Sequence, residues 1–475
     1  MNMHKLTAVA GGLSALLLAA GPLTVGADIL EKQIGPKVWI RFSKNLSVLH
    51  VLVLLTPSRF EREDLFPHSL AKAARDYFKD FRAHPAVEMT DRIFKPMWYF
   101  PFNYLAFILM EFPEPARLRG IELPSEFEQV ASLKAMAQDY VELAARFYRE
   151  TNFQGFWDSH REELTALVNK AVGLFRTEAP ASPGEDGGPK AGDISRLLEN
   201  FYGGGADCYD LVPCPFMQSS ATHTEVRWAD GRTNYLYLQG GEFDPDVRIN
   251  FNRAFHEFGH CFVEPVTQKY AADIQKLDHL YVPLKPVFEQ LGYRDWNRAF
   301  NEHLITAGQL HLMRKAFGEA VMADFKEKEI RSGFKLLDRF YGHLEDYDRN
   351  RQTFPNLESF LPRILDELSR LACEPYQKPG GLGVALAFRS GRLTVTKVMP
   401  GGAFKAAGVR EGDILAALAG VEIGSLQDWD TALEQMNRLK EKDILEIAFV
   451  RSGERISRTV AVPFVTDYRY VEVKR

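Results

Sequence analysis

Phe255-His256-Glu257-Phe258-Gly259-His260-Cys261-Phe262-Val263-Glu264-Pro265 lies just past the middle of the 475-residue chain. Phe255, Phe258 and Phe262 recur at i, i+3 and i+7, the spacing of one buried helical stripe. His256 and His260 fall away from that stripe and one turn apart, where Cβ atoms lie about 5–6 Å from each other. Two imidazoles so placed can close on one zinc ion. Glu257 follows the first of them. It can take a proton from an attacking water and pass it to a leaving amine, the role of a general base. Asn252 is read as the N-cap and Pro265 as the end of the helix. Gly259 costs about 1 kcal/mol against alanine inside a helix, a cost that close approach of a neighbouring strand would explain.

A catalytic zinc takes three protein ligands and keeps one position open. Glu264 is the nearest acid. However, His256, His260 and Glu264 together span about 12 Å of helical rise, and Glu264 precedes a proline, where helical geometry is disfavoured. Glu302 is the better third ligand. It lies 42 residues beyond His260, in Trp296-Asn297-Arg298-Ala299-Phe300-Asn301-Glu302-His303-Leu304-Ile305-Thr306. That segment reads as a helix whose apolar side carries Ala299, Ile305 and Thr306 beside Glu302. A buried acid needs a partner, and zinc would serve. His303 and His279 are weaker alternatives. A donor for the developing oxyanion is also expected. Tyr347 is the candidate, with Arg349 and Arg351 beside it, each weighed against a plain surface role.

Outward from this stretch the chain reads as globular and exported. Apolar residues make up 46% and charged residues 25%, with a net charge of −5, which argues against a nucleic-acid partner. Met1–Lys5 and the apolar run Leu6–Val25, closed by Val25-Gly26-Ala27, have the form of a signal peptide, 1–27, with Asp28 starting the mature chain. An uncleaved membrane anchor is the alternative. No later segment reaches the length of a membrane span, so no span is expected after cleavage. The periplasm or the exterior is then the expected location. Leu49–Leu55 reads as a buried strand and Glu126–Tyr148 as an amphipathic helix within a mostly helical region, 28–176. Residues 177–193 are rich in Pro and Gly and read as a mobile loop. Whether that loop separates domains or interrupts one stays open. Thr222–Trp228 and Arg232–Leu238 flank Asp230-Gly231 as a hairpin, within a catalytic region spanning 194–375. Of the four cysteines, Cys208 and Cys214 flank what reads as a short turn and can pair across it. The absence of a Cys-x-x-Cys pair disfavours a cysteine-bound structural zinc.

At these residues the sequence resembles the gluzincin clan of metallopeptidases, with HExxH on one helix and a glutamate ligand on the next. It is also similar to an uncharacterised bacterial domain family of unknown function that carries HEFGH followed by proline. Further matching residues are Tyr77-Phe78, His84-Pro85-Ala86-Val87, Asn301-Glu302-His303-Leu304 and Asn350-Arg351 before Pro355, over roughly 38–370. The stretch Cys261–Pro265 is more charged than that pattern. The resemblance implies a gluzincin-like peptidase with His256, His260 and Glu302 as metal ligands and Glu257 as base. It also implies a substrate-aligning strand, placed here at Arg232–Leu238.

The C-terminal region, 379–465, resembles a PDZ domain of the bacterial protease-associated kind. It carries Gly381-Leu382-Gly383-Val384, then Val398–Val409, then Glu411-Gly412-Asp413-Ile414-Leu415, then Val421-Glu422-Ile423 and a helix over Leu426–Leu439. The resemblance implies that Gly381, Leu382, Gly383 and Val384 hold the carboxylate of a peptide that adds a strand to the sheet. Phe388 is read as core and 466–475 as a tail. The expected fold is α+β, a mainly helical zincin-like domain with a small antiparallel sheet followed by a β-rich PDZ domain. The expected function is an exported Zn2+ peptidase acting on a peptide or protein substrate. Two alternatives stand beside it: a non-catalytic exported PDZ peptide-binding protein, and a zinc hydrolase acting on a non-peptide bond.

Overall fold

Burial alternates along Val38–Ser43 (β2) but is unbroken along Cys208–Cys214 (β3) and nearly so along Thr233–Gly240 (β5). Strands buried on both faces belong inside a sheet, and that is where β3 and β5 lie. A computed structural model describes residues 29–94, 131–176, 191–227, 232–380, 382–389, 391–440, 443–461 and 464–473. The expected signal peptide, the hairpin tip at 228–231, the Pro/Gly-rich stretch 177–190 and Gly381 lie outside them.

The chain divides into two units. One comprises Met1–Lys269, Asn301–Arg331 and Leu336–Leu361, the other Tyr270–Phe300, Ser332–Lys335 and Pro362–Arg475. In the first unit, Ile29–Gln33 (β1) and Ala221–Arg227 (β4) complete a five-stranded sheet of order β1-β2-β3-β5-β4. The two outer pairings are antiparallel, including the expected β4–β5 hairpin, whereas β2–β3 and β3–β5 are parallel. Because β1 and β2 precede residue 177 and β3 to β5 follow residue 193, the Pro/Gly-rich stretch interrupts one sheet-bearing unit. Since β5 is paired on both sides, the sheet edge beside it, among the described residues, belongs to β4. This corrects the expected substrate-aligning strand.

Leu49–Leu55 is not a strand. Lys44–Leu54 is a helix with all eleven residues buried, capped by Ser43, whose Oγ accepts from the Leu46 amide at 3.3 Å. A helix buried on every side has no periodicity to separate it from a buried strand. The expected amphipathic helix is present at Ala131–Glu150, its first residues lying outside the described ones. Cys208 and Cys214 stand at opposite ends of β3 rather than across a turn. Six residues of extended chain hold them about 20 Å apart, far beyond disulfide reach, and all four cysteines are free thiols.

In the second unit a six-stranded sheet runs β12-β11-β9-β8-β7, with β10 on β9. Its strands are Val384–Arg389 (β7), Arg392–Val398 (β8), Ile414–Leu418 (β9), Val421–Glu422 (β10), Ile444–Arg451 (β11) and Glu454–Ala461 (β12). Phe404, Leu415, Leu418, Leu445 and Phe449 form its core against the helix Leu426–Asn437. Phe388 is 46% exposed and not part of that core. The expected tail is instead a strand, Phe464–Glu472 (β13), which pairs antiparallel along its whole length with Leu371–Pro379 (β6). Among the described residues no helix is long and apolar enough to cross a membrane.

Candidate metal centre

The HExxH stretch lies in the helix Val247–Lys269, here the motif helix. It begins before Asn252, with Asp246 Oδ1 accepting from the Arg248 amide at 3.0 Å. It also runs through Pro265 to Lys269 rather than stopping there. A proline removes one hydrogen bond near the end of a long packed helix, and the final turn survives that loss. The aromatic stripe faces the sheet. Phe258 packs edge-on against Tyr209, with ring centroids 5.3 Å apart, and Phe262 meets Tyr235 at 5.2 Å.

The other side of the motif helix meets the helix Trp296–Phe317, here the glutamate helix. Contacts descend along one as they ascend the other: Asn252 and His256 touch Gln309, while His256 and His260 face Glu302. The two helices therefore run antiparallel at the site. Gly259 permits this approach, since a Cβ there would lie 3.2 Å from the Ile305 methyl and 3.3 Å from the Tyr202 hydroxyl. The close neighbours are helical residues, not the strand expected from sequence.

His256, His260 and Glu302 offer ligand atoms within 4.8 Å of one another. Each imidazole is held by its Nδ1. That of His256 is 2.9 Å from Gln309 Oε1, and that of His260 is 2.8 Å from Glu264 Oε1. These oxygens accept, so each Nδ1 carries the proton and each Nε2 presents a lone pair. The two Nε2 atoms face each other at 3.3 Å, with Glu302 oxygens 3.6 and 3.8 Å away. Glu302 is 6% exposed, and among the described residues its Oε2 has no hydrogen-bond partner. Several acceptors converging on one buried point are the surroundings a cation satisfies, and two His Nε2 atoms with a carboxylate suit zinc. Glu264 grips the far nitrogen of His260 and so fixes the direction in which its Nε2 points.

Glu257 is buried. Its Oε2 lies 3.3 Å from His223 Nδ1, a side chain contributed by β4. Desolvation would raise the Glu257 pKa, but the His223 hydrogen bond and the neighbouring imidazoles outweigh it and hold the carboxyl below its usual range. Desolvation likewise disfavours charge on His223, yet the carboxylates of Glu257 and Glu264 push it up to about 10. Sequence reasoning passed over His223 because nothing local marks it. Only the packing of β4 against the motif helix brings it in.

Other candidates lie elsewhere. Tyr347 is fully buried, and its hydroxyl donates to the Phe201 carbonyl at 2.8 Å. Arg351 donates to the same oxygen at 2.8 Å and stacks on the Tyr347 ring. This corrects the expectation of Tyr347 as an oxyanion donor, since its one proton is already spent on the backbone. Arg349 instead makes ion pairs with Glu345 and Asp346 within its own helix. His303 packs against Phe340, and His279 contacts the Leu371 carbonyl in the second unit. Neither belongs to the cluster. Leu382, Gly383 and Val384 lead into β7 at the edge of the second unit's sheet, and glycine suits position 383 twice over, because its φ is 68° and Gly402 backbone fills the space of a Cβ.

A family model described as a domain of unknown function, DUF4932, matches residues 236–366, and one described as a PDZ domain matches residues 394–440. The chain is α+β, with a C-terminal β-rich region that matches a PDZ domain. Among curated proteins no relative matches. Solved structures similar to parts of the chain include the HtrA-type protease AlgW with a decapeptide, at 18% identity and TM-score 0.17, covering 18% of this chain and 30% of that one. Another is an aminopeptidase N family protein from Idiomarina loihiensis, at 10% identity and TM-score 0.22, covering 60% of this chain and 64% of that one. The chain spans less than two thirds of either, and at such TM-scores neither likeness bears on its function.

Proposed function

We propose that this chain is an exported zinc-dependent peptidase, with His256, His260 and Glu302 as metal ligands and Glu257 as general base. The observation that carries the reading is the buried, unpartnered Glu302 Oε2 facing two imidazoles whose Nε2 lone pairs are turned toward it. Zinc, when bound there, would polarise a scissile carbonyl and acidify water. The chain's own residues supply the rest. Glu257, held as a carboxylate, accepts the proton of the attacking water and delivers it to the leaving amine. An extended substrate would add to the sheet edge at β4, with backbone hydrogen bonds fixing its register. An acid beside the first ligand favours catalysis over a structural metal, which would need no base.

In the same reading the PDZ region holds a peptide end in the loop of Gly381, Leu382, Gly383 and Val384, beside β7. Residues 1–27 direct export and are removed. The test is elemental analysis of protein starting at Asp28, beside the Glu302→Gln and Glu257→Gln variants, followed by a peptide-library assay. The reading expects one zinc per wild-type chain, loss of zinc in Glu302→Gln, and retained zinc with activity lowered about 10²–10⁴-fold in Glu257→Gln. Wild-type protein that takes up no zinc would sink it and leave the PDZ binding protein as the better account.

A further inference from the structure

Resting on that reading, we propose that His223 is a positioning residue which holds the general base and the second histidine ligand with one side chain. Its Nδ1 lies 3.3 Å from Glu257 Oε2 and its Nε2 lies 3.8 Å from Glu264 Oε2. Its ring lies flat on that of His260, with centroids 4.1 Å apart and planes 9° from parallel. Glu264 in turn accepts from His260 Nδ1. His223 thus touches the base directly, and the second ligand both through its ring face and through the carboxylate that orients it.

The chemistry gives this contact a purpose. A buried carboxylate is costly unless hydrogen-bonded, and among the described residues the side chain that hydrogen-bonds Glu257 is His223. With Oε2 engaged, rotation about the end of the Glu257 side chain is restrained and Oε1 keeps its lone pairs for a water. The Nδ1–H can donate in the neutral ring as well as in the cation, so the contact to Glu257 needs no particular charge on His223. Strand alternation sets the geometry: Ala221, His223 and Glu225 share one face of β4, the strand packed on the motif helix.

His223, His260 and Glu264 are also close enough to suggest a second cation site. The parallel rings argue against it. An imidazole binds a metal in its own plane, and two stacked planes have no common point for an ion.

The test compares His223→Phe, which keeps a flat face on His260 without the donor, with His223→Asn, which places an amide N–H near the Nδ1 position. Two probes are titrated against the zinc-loaded full chain. One is a dipeptide hydroxamate, whose hydroxyl can reach Glu257, and the other a dipeptide thiol, which binds without using the base. The proposal expects His223→Phe to weaken the hydroxamate about tenfold and the thiol less than about twofold, with zinc held only somewhat more weakly because the ring face on His260 is kept while the Glu264 contact is lost, and with His223→Asn recovering most of the hydroxamate loss. In turnover the same variant should lower kcat while leaving KM nearly unchanged. Equal weakening of both probes in His223→Phe, or no weakening of either, overturns the positioning role while the zinc peptidase stands. A wild-type chain that carries no zinc and binds neither probe overturns both.

Discussion

His256 Nδ1 lies 2.9 Å from Gln309 Oε1, and the amide nitrogen of Gln309 donates to Asn252 Oδ1 one turn earlier on the motif helix. Gln309 is seven residues beyond Glu302 on the glutamate helix, so one helix face supplies both a proposed ligand and the group that aims the His256 ring. Gln309→Leu should therefore weaken zinc about 10–100-fold while leaving the ligand set whole. Competition against a chromophoric chelator would measure this, and unchanged affinity would show that the Gln309 contact does not orient His256.

Glu302 gives a prediction of opposite sign in two metal states. Metal-free, its buried Oε2 is unsatisfied, a cost of about 1–3 kcal/mol. Glu302→Gln should leave the metal-free protein at least as stable as wild type, yet remove the rise in Tm that zinc gives wild type. Calorimetry with zinc and with chelator decides it. A metal-free variant clearly less stable than wild type would mean that the carboxylate has partners of its own.

Tyr202 wedges between the motif helix and the glutamate helix. Among the described residues its buried hydroxyl has no hydrogen-bond partner, and it occupies the space where a Cβ on Gly308 would go, close to Gly259. Gly308→Ala should cost about 1–3 kcal/mol through overpacking, and Tyr202→Phe should cost little. In Gly308→Ala/Tyr202→Phe the losses should fall short of additive, because removing the hydroxyl relieves the clash. Denaturant unfolding of the four proteins tests the coupling, and strict additivity would refute it.

Asp413 is buried and accepts from Arg451 Nε at 2.9 Å, Arg451 Nη2 at 2.8 Å and the Arg410 amide at 2.7 Å. Desolvation opposes the charge, but these donors prevail and hold the carboxyl below its ordinary range. A folded-state pKa lower than the unfolded one contributes stability that is present above the ordinary carboxylate pKa and lost as pH falls through the folded value. Protection of the β8, β9 and β11 amides, measured relative to the intrinsic exchange rate at each pH, should fall over that acidic window in wild type. Asp413→Asn should lack this component and exchange faster already at neutral pH.

The parts of the site legible in sequence were those set by helical spacing. His256, Glu257 and His260 follow from a local rule, and Glu302 from an acid on an apolar helix face. The PDZ-like region was legible through its glycine turns and short strands, though its flanking ribbon β6–β13 was not, because paired strands more than 80 residues apart leave no local mark. Lys44–Leu54 was misread because uniform burial erases periodicity. Tyr347 was misjudged because a polar run gives no sign that one of its members donates to a backbone carbonyl in a distant helix.

By itself, then, the sequence determined which residues could share a helix face, and so the histidine pair, its adjacent acid and the α+β character of the chain. Only the tertiary structure decided that β4 rather than β5 bears the sheet edge, that Gln309 and Glu264 aim the two imidazoles, and that His223 closes on Glu257. The physical reason is range. A helical turn is written in four consecutive residues, whereas strand order and helix approach depend on packing between segments that the sequence holds apart.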